Sequence, residues 1–206
     1  MDVSALIAEV SERSSFPGIV PRAEHLLKLA EAEINKRLRV AQQETTDEIV
    51  LDDKGNAALP FDFLLMRRAA LGNLELRQWA LRDIQSKSRR GYAIRGGYIL
   101  TSEPGSTITL TYYRGLPPLS LSRADWDQDD WGFDDFLVDQ STNWLLESDP
   151  EIYIWALLKQ WHVFRRDFET ATSADDYLSR LLNQRNSFDA QLRFSGVRFR
   201  TAGPTP

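Results

Sequence analysis

The residues best suited to chemistry are the aspartates of the stretch DWDQDDWGFDDF, Asp125 to Phe136. Aspartates one residue apart are typical of EF-hand calcium loops, which need oxygen ligands at positions 1, 3 and 5, glycine at 6 and glutamate at 12. A register from Asp125 supplies the first three ligands but places Asp130 at position 6 and Phe136 at position 12. A register from Asp127 places Trp131 at position 5. The stretch therefore does not match an EF-hand, and three interpretations stay open: an ordered calcium site, a solvated loop or a protein-contact loop.

The other candidate groups form no catalytic or metal-binding motif. The chain has no cysteine, which excludes disulfides, thiolate metal sites and cysteine nucleophiles. Its two histidines, His25 and His162, lie in predicted helices without a second histidine four residues away, so a helix-face or interface position is favoured over a metal or catalytic role. The clustered aspartates define no acid–base pair, which leaves a divergent hydrolase as the weakest alternative. We predict no catalytic residue, no metal ligand, no cofactor and no enzyme activity.

Apolar periodicity predicts helices at both ends of the chain, and these helices must position any functional groups. The spacing of apolar residues changes from about 3.6 to 2 in the middle of the chain and back again, which indicates helices enclosing strands. Asp149 and Pro150 fit the cap and first position of a helix. The predicted fold class is α+β, mainly helical: a helical bundle body with an inserted small antiparallel β-sheet, in a single domain over 1–206. The predicted segments are helices at about 3–12, 20–43, 149–166 and 172–194, a β insertion at about 47–116, an acidic loop at 121–141 and a C-terminal tail at 193–206.

Turn residues predict how the strands connect. Asp53-Lys54-Gly55-Asn56 predicts a hairpin between the strands on either side, and Gly72-Asn73 predicts a second one. Gly96-Gly97 predicts a third hairpin, because both glycines can take a positive φ. The segment TITLTYY alternates, so Ile108 and its i+2 neighbours should share one buried face.

Composition and charge indicate a soluble protein with two differently charged regions. Hydrophobic residues make up 42% of the 206, and no apolar run reaches the roughly 18–20 residues that span a bilayer. The N-terminus lacks the features of a signal peptide. Residues 124–158 carry a formal charge of −10, which leaves +5 for the rest of a chain with net charge −5. The tail is basic, so the two regions should serve different partners. A strong DNA-reading surface is disfavoured, because the basic residues look scattered along the chain.

Four stretches together resemble the head-to-tail adaptor proteins of tailed bacteriophages. They are AEAEINKRLRV (30–40), LPFDFLLMRRAAL (59–71), YAIRGGYILTSEPGSTITLTYYRGLPPLS (92–120) and TNWLLESDPEIYIWALLKQ (142–160). The resemblance covers most of 20–195 and lies in the order and spacing of the motifs.

This resemblance implies a structural protein that forms a homo-oligomeric ring, twelve-fold, beneath the portal. Its partners would be the portal protein, a tail or nozzle protein, and double-stranded DNA passing non-specifically through the lumen, with no membrane and no cofactor. The protein would belong to the virion, at the head–tail interface, and to the host cytoplasm during assembly. Neighbouring subunits would cover part of the helix at 152–164, which is apolar on nearly every side. The resemblance also assigns portal docking to the tail, through Arg193, Phe194, Val197, Arg198, Phe199 and Arg200.

The acidic stretch departs from the family pattern. About twenty residues, 121–141, stand where the family has only a few, so the resemblance assigns them no role. Four aromatic residues are too many to leave exposed without a function. We predict that they contact a neighbouring subunit or a tail component: Trp126, Trp131, Phe133 and Phe136. The alternative function is a calcium- or protein-binding module that acts through 125–139.

Overall fold

The structure, a computed structural model, describes residues 1–14, 17–86, 88–120 and 141–194. The chain divides into two compact units. We call the first the helical unit; it combines the residues up to Val40 with those from Leu116 onward. The second, the sheet unit, is the continuous segment Ala41–Gly115. The prediction that 1–206 acts as a single adaptor domain stays a prediction.

The described residues form helices in the helical unit and mostly strands in the sheet unit. The α-helices are α1 (Val3–Ser14), α2 (Ala23–Arg37), α3 (Leu81–Gln85), α4 (Trp144–Ser148), α5 (Pro150–Phe164) and α6 (Phe168–Phe194). The strands are β1 (Glu44–Val50), β2 (Asn56–Ala58), β3 (Phe63–Leu71), β4 (Leu74–Leu76), β5 (Tyr92–Arg95), β6 (Tyr98–Thr101) and β7 (Thr107–Arg114). Short 3-10 segments occupy Pro17–Arg22 and Ala41–Gln43.

Helix α5 is the centre of the helical unit. Seven of its fifteen residues are buried, and α1, α2, α4 and α6 all pack against it. The helix begins at Pro150, which suits a first helical position because that position needs no N–H donor. The chain's own helices therefore cover the central turns of α5. That neighbouring subunits cover a further part of this helix stays a prediction. Only the last turn leaves large apolar side chains exposed, Val163 and Phe164.

Four charged side chains join α2, α5 and α6. Lys159 Nζ lies 3.1 Å from Glu33 Oε1 and 3.0 Å from Asp175 Oδ1. Arg37 pairs with both carboxylates, at 2.8 Å from Asp175. Burial works against the charged carboxylates, but the two cations nevertheless hold the pKa of Glu33 and of Asp175 below the usual range. The four side chains are partly shielded from water, and their ion pairs link the three helices.

The sheet unit contains two antiparallel sheets. The four-stranded sheet has the order β1-β7-β3-β4 and the three-stranded sheet the order β2-β6-β5. One face of β7 is buried through Ile108, Leu110 and Tyr112, as the alternation predicts. The hairpins at Gly72-Asn73 and Gly96-Gly97 are confirmed. Gly96 alone of that last pair takes a positive φ, 60°, which is the requirement of a turn with glycine at its first central position.

Two fold predictions are wrong. About 51% of the described residues are helical and 23% are in strands, and the strands form two sheets. The protein is therefore not a helical bundle with one small inserted sheet. The predicted hairpin at 53–56 is also absent, because β1 pairs with β7 and β2 with β6. The Asp52 carboxylate accepts hydrogen bonds from the N–H groups of Lys54 and Asn56, at 2.9 and 2.7 Å. This closed turn directs the chain into a different sheet.

Candidate interaction sites

Both ends of the acidic insertion are anchored in the helical unit. The Glu31 carboxylate accepts a 2.7 Å hydrogen bond from the N–H of Leu119, just before the insertion. Just after it, the Asn143 side-chain amide donates to the Pro117 carbonyl at 2.9 Å and to the Tyr153 hydroxyl at 2.8 Å. We call these five residues the anchor cluster. The cluster brings the two flanks of the insertion together on α2 and α5.

The anchor cluster contains a carboxyl group with an unusual pKa. Glu31 is 7% exposed, and this burial raises its pKa to about 7, against the lowering effects of the Leu119 N–H and of Lys28. Burial also raises the pKa of the Tyr153 hydroxyl. The side-chain oxygen of Asn143 is also hydrogen-bonded, since Oδ1 accepts the N–H of Leu146 at 3.0 Å and so caps α4. The residues at both ends of the insertion are therefore held by buried polar groups whose hydrogen bonds are satisfied.

The second half of α6 is less buried than the first half. The helix has 27 residues against 15 in its neighbour α5, and its last buried residue is Leu182. None of the described residues from 183 to 193 is buried. We call 183–194 the distal segment; at 1.5 Å per residue it is about 18 Å long. Its large apolar side chains Phe188 and Leu192 are 53% and 61% exposed.

A groove of about 670 Å³ runs between the start of α5 and the distal segment. Its apolar lining comprises Pro150, Ile152, Leu181 and Phe188. On its rim Arg185 lies 3.2 Å from Asp149. Glu151 accepts two hydrogen bonds from Arg13, at 2.9 and 3.1 Å, and one from the indole of Trp155 at 3.0 Å. The charges at this groove are thus paired, and its open character comes from the apolar residues.

The structure reaches only the beginning of the predicted docking residues. Arg193 lies in the last turn of α6, 2.6 Å from Asp189, and Phe194 ends the helix. The remaining tail residues lie outside the described residues: Val197, Arg198, Phe199 and Arg200. The four loop aromatics also lie outside them: Trp126, Trp131, Phe133 and Phe136. The roles predicted for tail and loop therefore stay predictions.

A basic surface on the sheet unit escaped the sequence reasoning. Its members are exposed arginines on α3, β5 and the segments beside them: Arg77, Arg82, Arg89, Arg90 and Arg95. The guanidinium of Arg89 lies 4.8 Å from the ring centre of Trp79, whose indole N–H donates to the Arg90 carbonyl at 3.1 Å. Gly91 allows this close packing, because a Cβ there would lie 2.2 Å from the Arg77 carbonyl oxygen. We call the five arginines, Arg77, Arg82, Arg89, Arg90 and Arg95, the arginine surface.

A local charge count would have found the arginine surface. Residues 77–95 contain six basic residues and one acidic residue, Asp83. The whole sheet unit, in contrast, has ten basic and nine acidic residues, so the excess disappears in a chain-wide view.

Within the described residues, no group of three or more histidine, cysteine, aspartate or glutamate side chains could hold a metal ion. The aspartates of 125–136 lie outside the described residues. Across the same described ranges, no helix combines the length and apolar character that a membrane span requires.

The described surface offers contact areas: a helix end with exposed apolar side chains, an apolar groove and a basic face. Such features are typical of proteins that act by binding. The family model described as SU10 adaptor protein matches residues 1–201, and the chain therefore belongs to the SU10 adaptor protein family. The resemblance to head-to-tail adaptors of tailed phages is confirmed. The family makes the chain a bacteriophage adaptor, a structural protein. No curated protein matches the sequence.

Proposed function

We propose that this protein is a head-to-tail adaptor that assembles as a twelve-fold ring beneath the portal, connects the capsid to the tail and lines the DNA conduit. It acts by binding and catalyses no reaction. Its place is the head–tail interface of the virion. Membership of the SU10 adaptor family supports this function at the level of the class.

The exposed apolar side chains of the distal segment of α6 are the main structural support for this proposal. It continues for about three turns beyond the last buried residue of the helix, Leu182. Helical stability in proteins comes mostly from packing of an apolar face, and here that face carries the exposed side chains of Phe188 and Leu192. The segment leads directly to the predicted docking residues 193–200. A partner that covers Phe188 and Leu192 would explain why the helix extends this far.

Charge supports a conduit rather than a DNA-holding role. The chain has a net charge of −5, and each phosphate contact by lysine or arginine would strengthen the hold on the duplex through counterion release. A conduit must let the duplex slide, so a chain with more acidic than basic residues suits it.

The direct test mixes the purified protein with its portal and examines the particles by electron microscopy. We expect portal-bound rings with rotational symmetry. A protein that stays monomeric beside an intact portal would contradict the proposal.

Two truncations test the tail. Deleting 193–206 should abolish or strongly weaken portal docking while leaving the helical content by circular dichroism nearly intact, because it removes only two residues of α6. Deleting 201–206 is the matched control, since it keeps every predicted docking residue. Equal docking by both variants would remove the tail from the interface.

Two substitutions test the distal segment separately. Phe188→Ala with Leu192→Ala should weaken docking by about tenfold or more, because truncating a buried interface anchor commonly costs more than 1 kcal/mol. The melting temperature should stay nearly unchanged, since both side chains are exposed in the unit. Phe61→Ala is the control, because Phe61 is fully exposed and lies in the sheet unit.

A further inference from the structure

The arginine surface is a concentration of positive charge that the proposed adaptor role does not use. We infer that it is a docking surface for an acidic, aromatic peptide, and that the occupant is the stretch 125–136 of a second copy of this chain. The inference rests on the proposed ring, because it supplies one of the contacts between ring neighbours.

The charges of the two segments are complementary. Residues 77–95 carry a formal charge of +5, and residues 125–136 carry −6 without a single lysine or arginine. Two members of the surface already face carboxylates, since Arg82 lies 3.6 Å from Asp83 and Arg90 lies 2.7 Å from Glu103. Within the described residues the other three members have no ion pair: Arg77, Arg89 and Arg95. These three arginines are exposed, so their guanidinium groups can donate hydrogen bonds to carboxylates from outside the unit.

The side-chain chemistry also fits. A guanidinium can bind a carboxylate with two parallel hydrogen bonds and can stack on an aromatic ring. Arg89 already stacks in this way on Trp79. The proposed occupant alternates aspartates with Trp126, Trp131 and Phe133, so it offers both kinds of partner within a few residues. A stretch of carboxylates without aromatic residues would form the hydrogen bonds but not the stacking contacts.

Ring geometry favours a second copy as the occupant. A ring is built from heterologous contacts, in which one patch of a subunit meets a different patch of the next. An acidic segment and a basic surface on the same chain meet this requirement, and their opposite charges would set orientation and suppress wrong pairings.

Duplex DNA is the competing polyanion, and the charge distribution disfavours it. Within the sheet unit the excess of cations is confined to 77–95, since the unit as a whole has only one basic residue more than it has acidic residues. A patch that held phosphates would also oppose the passage of DNA.

A peptide titration tests the surface. The receptor is the full-length chain in which the six aspartates of 125–136 are changed to asparagine, so that its own stretch cannot compete. The probe is a fluorescent peptide of residues 123–139, followed by anisotropy. We expect saturable binding that weakens at higher salt. Arg77→Gln with Arg89→Gln should weaken it by about tenfold, because each exposed pair contributes up to about 1 kcal/mol.

The matched control is Lys54→Gln with Arg114→Gln, which removes the same charge from exposed positions of the same unit. It should change binding by less than about twofold. No peptide binding, or equal losses in both double variants, would overturn the inference. Displacement of the peptide by a duplex that binds more tightly to the same arginines would assign the surface to DNA instead.

A complementation experiment tests whether the contact joins two copies. Sedimentation velocity compares the aspartate-to-asparagine variant, the Arg77→Gln/Arg89→Gln variant, and their equimolar mixture. Each variant alone should stay monomeric, whereas the mixture should form dimers and nothing larger, since only one intact interface is available. A mixture that behaves as its components would show that the contact is not between copies. Portal docking is not measured in either experiment, so failure here and failure of the adaptor function are distinguishable.

Discussion

The helical unit and the sheet unit differ in how far apart in sequence their core residues lie. In the described residues, the helical core joins 25 buried residues that run from Val3 to Leu182. The sheet core has eight, all between Leu51 and Tyr112. The helical unit also places the carboxyl of Glu31 and the amide of Asn143 in its interior, where an unmet hydrogen bond is costly. The unit that carries the predicted docking elements thus has a core drawn from both ends of the chain, while the core of the unit with the arginine surface comes from one continuous segment.

The largest effect should come from cavities in the two cores. Leu157 and Leu110 are both fully buried, one in α5 and one in β7. Replacing a buried leucine with alanine typically costs about 2–5 kcal/mol of unfolding free energy. We expect Leu157→Ala to lie near the upper end, because four helices surround α5. Denaturant unfolding gives the cost, and hydrogen exchange should show faster exchange in the helical unit with β7 amides still protected. Equal loss of protection in both units would show that the two cores unfold together.

Two asparagine substitutions compare the stability contributed by buried hydrogen bonds in the helical unit with that of an exposed hydrogen bond in the sheet unit. Asn143→Ala removes the donor for the Pro117 carbonyl and the Tyr153 hydroxyl and the cap of α4. We expect a loss of about 2–3 kcal/mol in chemical denaturation. Asn56→Ala is the matched change in the sheet unit, where the side chain makes only a 3.4 Å exposed contact to Asp52, and it should cost about 0.5 kcal/mol or less. Similar losses would mean that burial of the anchor cluster contributes little.

The pH dependence of stability should come partly from Glu31. Its folded pKa, about 7, lies above the ordinary value of 4.5, so between these values the folded state holds a proton that the unfolded state releases. The free energy of unfolding should therefore fall as pH rises through this window and level off above pH 7. Glu31→Gln keeps an oxygen acceptor for the Leu119 N–H without a charge. Relative to that variant, the wild type should lose on the order of 1–3 kcal/mol between pH 5 and pH 8. Parallel pH profiles of the two proteins would refute this assignment.

The smallest effects should come from ion pairs. Glu103→Gln breaks the exposed contact to Arg90 in the sheet unit and should change the unfolding free energy by about 0.5 kcal/mol or less. Asp175→Asn removes a carboxylate shared by Arg37 and Lys159 in the helical unit and should cost about 1 kcal/mol or more. Salt should erase the first difference more readily than the second. If Glu103→Gln lowered the unfolding free energy more than Asp175→Asn, ion pairs would not contribute more in the helical unit than in the sheet unit.

Local patterns were enough to predict the local structure. The alternation of β7, the hairpin at Gly96 and the turn at Gly72-Asn73 each depend on a few adjacent residues, and each is present. Helix positions could also be predicted from apolar spacing, with less accurate ends. The last helix begins at Phe168 rather than near 172, because Asp167 caps it by accepting the N–H of Thr170. The order of the motifs was enough to predict the family.

Pairing and placement between distant residues could not be read from the chain. Strand alternation shows which side chains are buried but not which strand is the neighbour, so the partners of β1 and β2 were missed and one sheet was expected instead of two. Nothing local to Glu31 shows that the N–H of Leu119, 88 positions away, would donate to its carboxylate. The cover of α5 likewise depends on four helices from both chain ends. The amino-acid order thus determines periodicity, turn chemistry and family, because these are properties of neighbours. The tertiary structure alone decides which groups lose contact with water, and with them the anchor cluster and the exposed face of the distal segment.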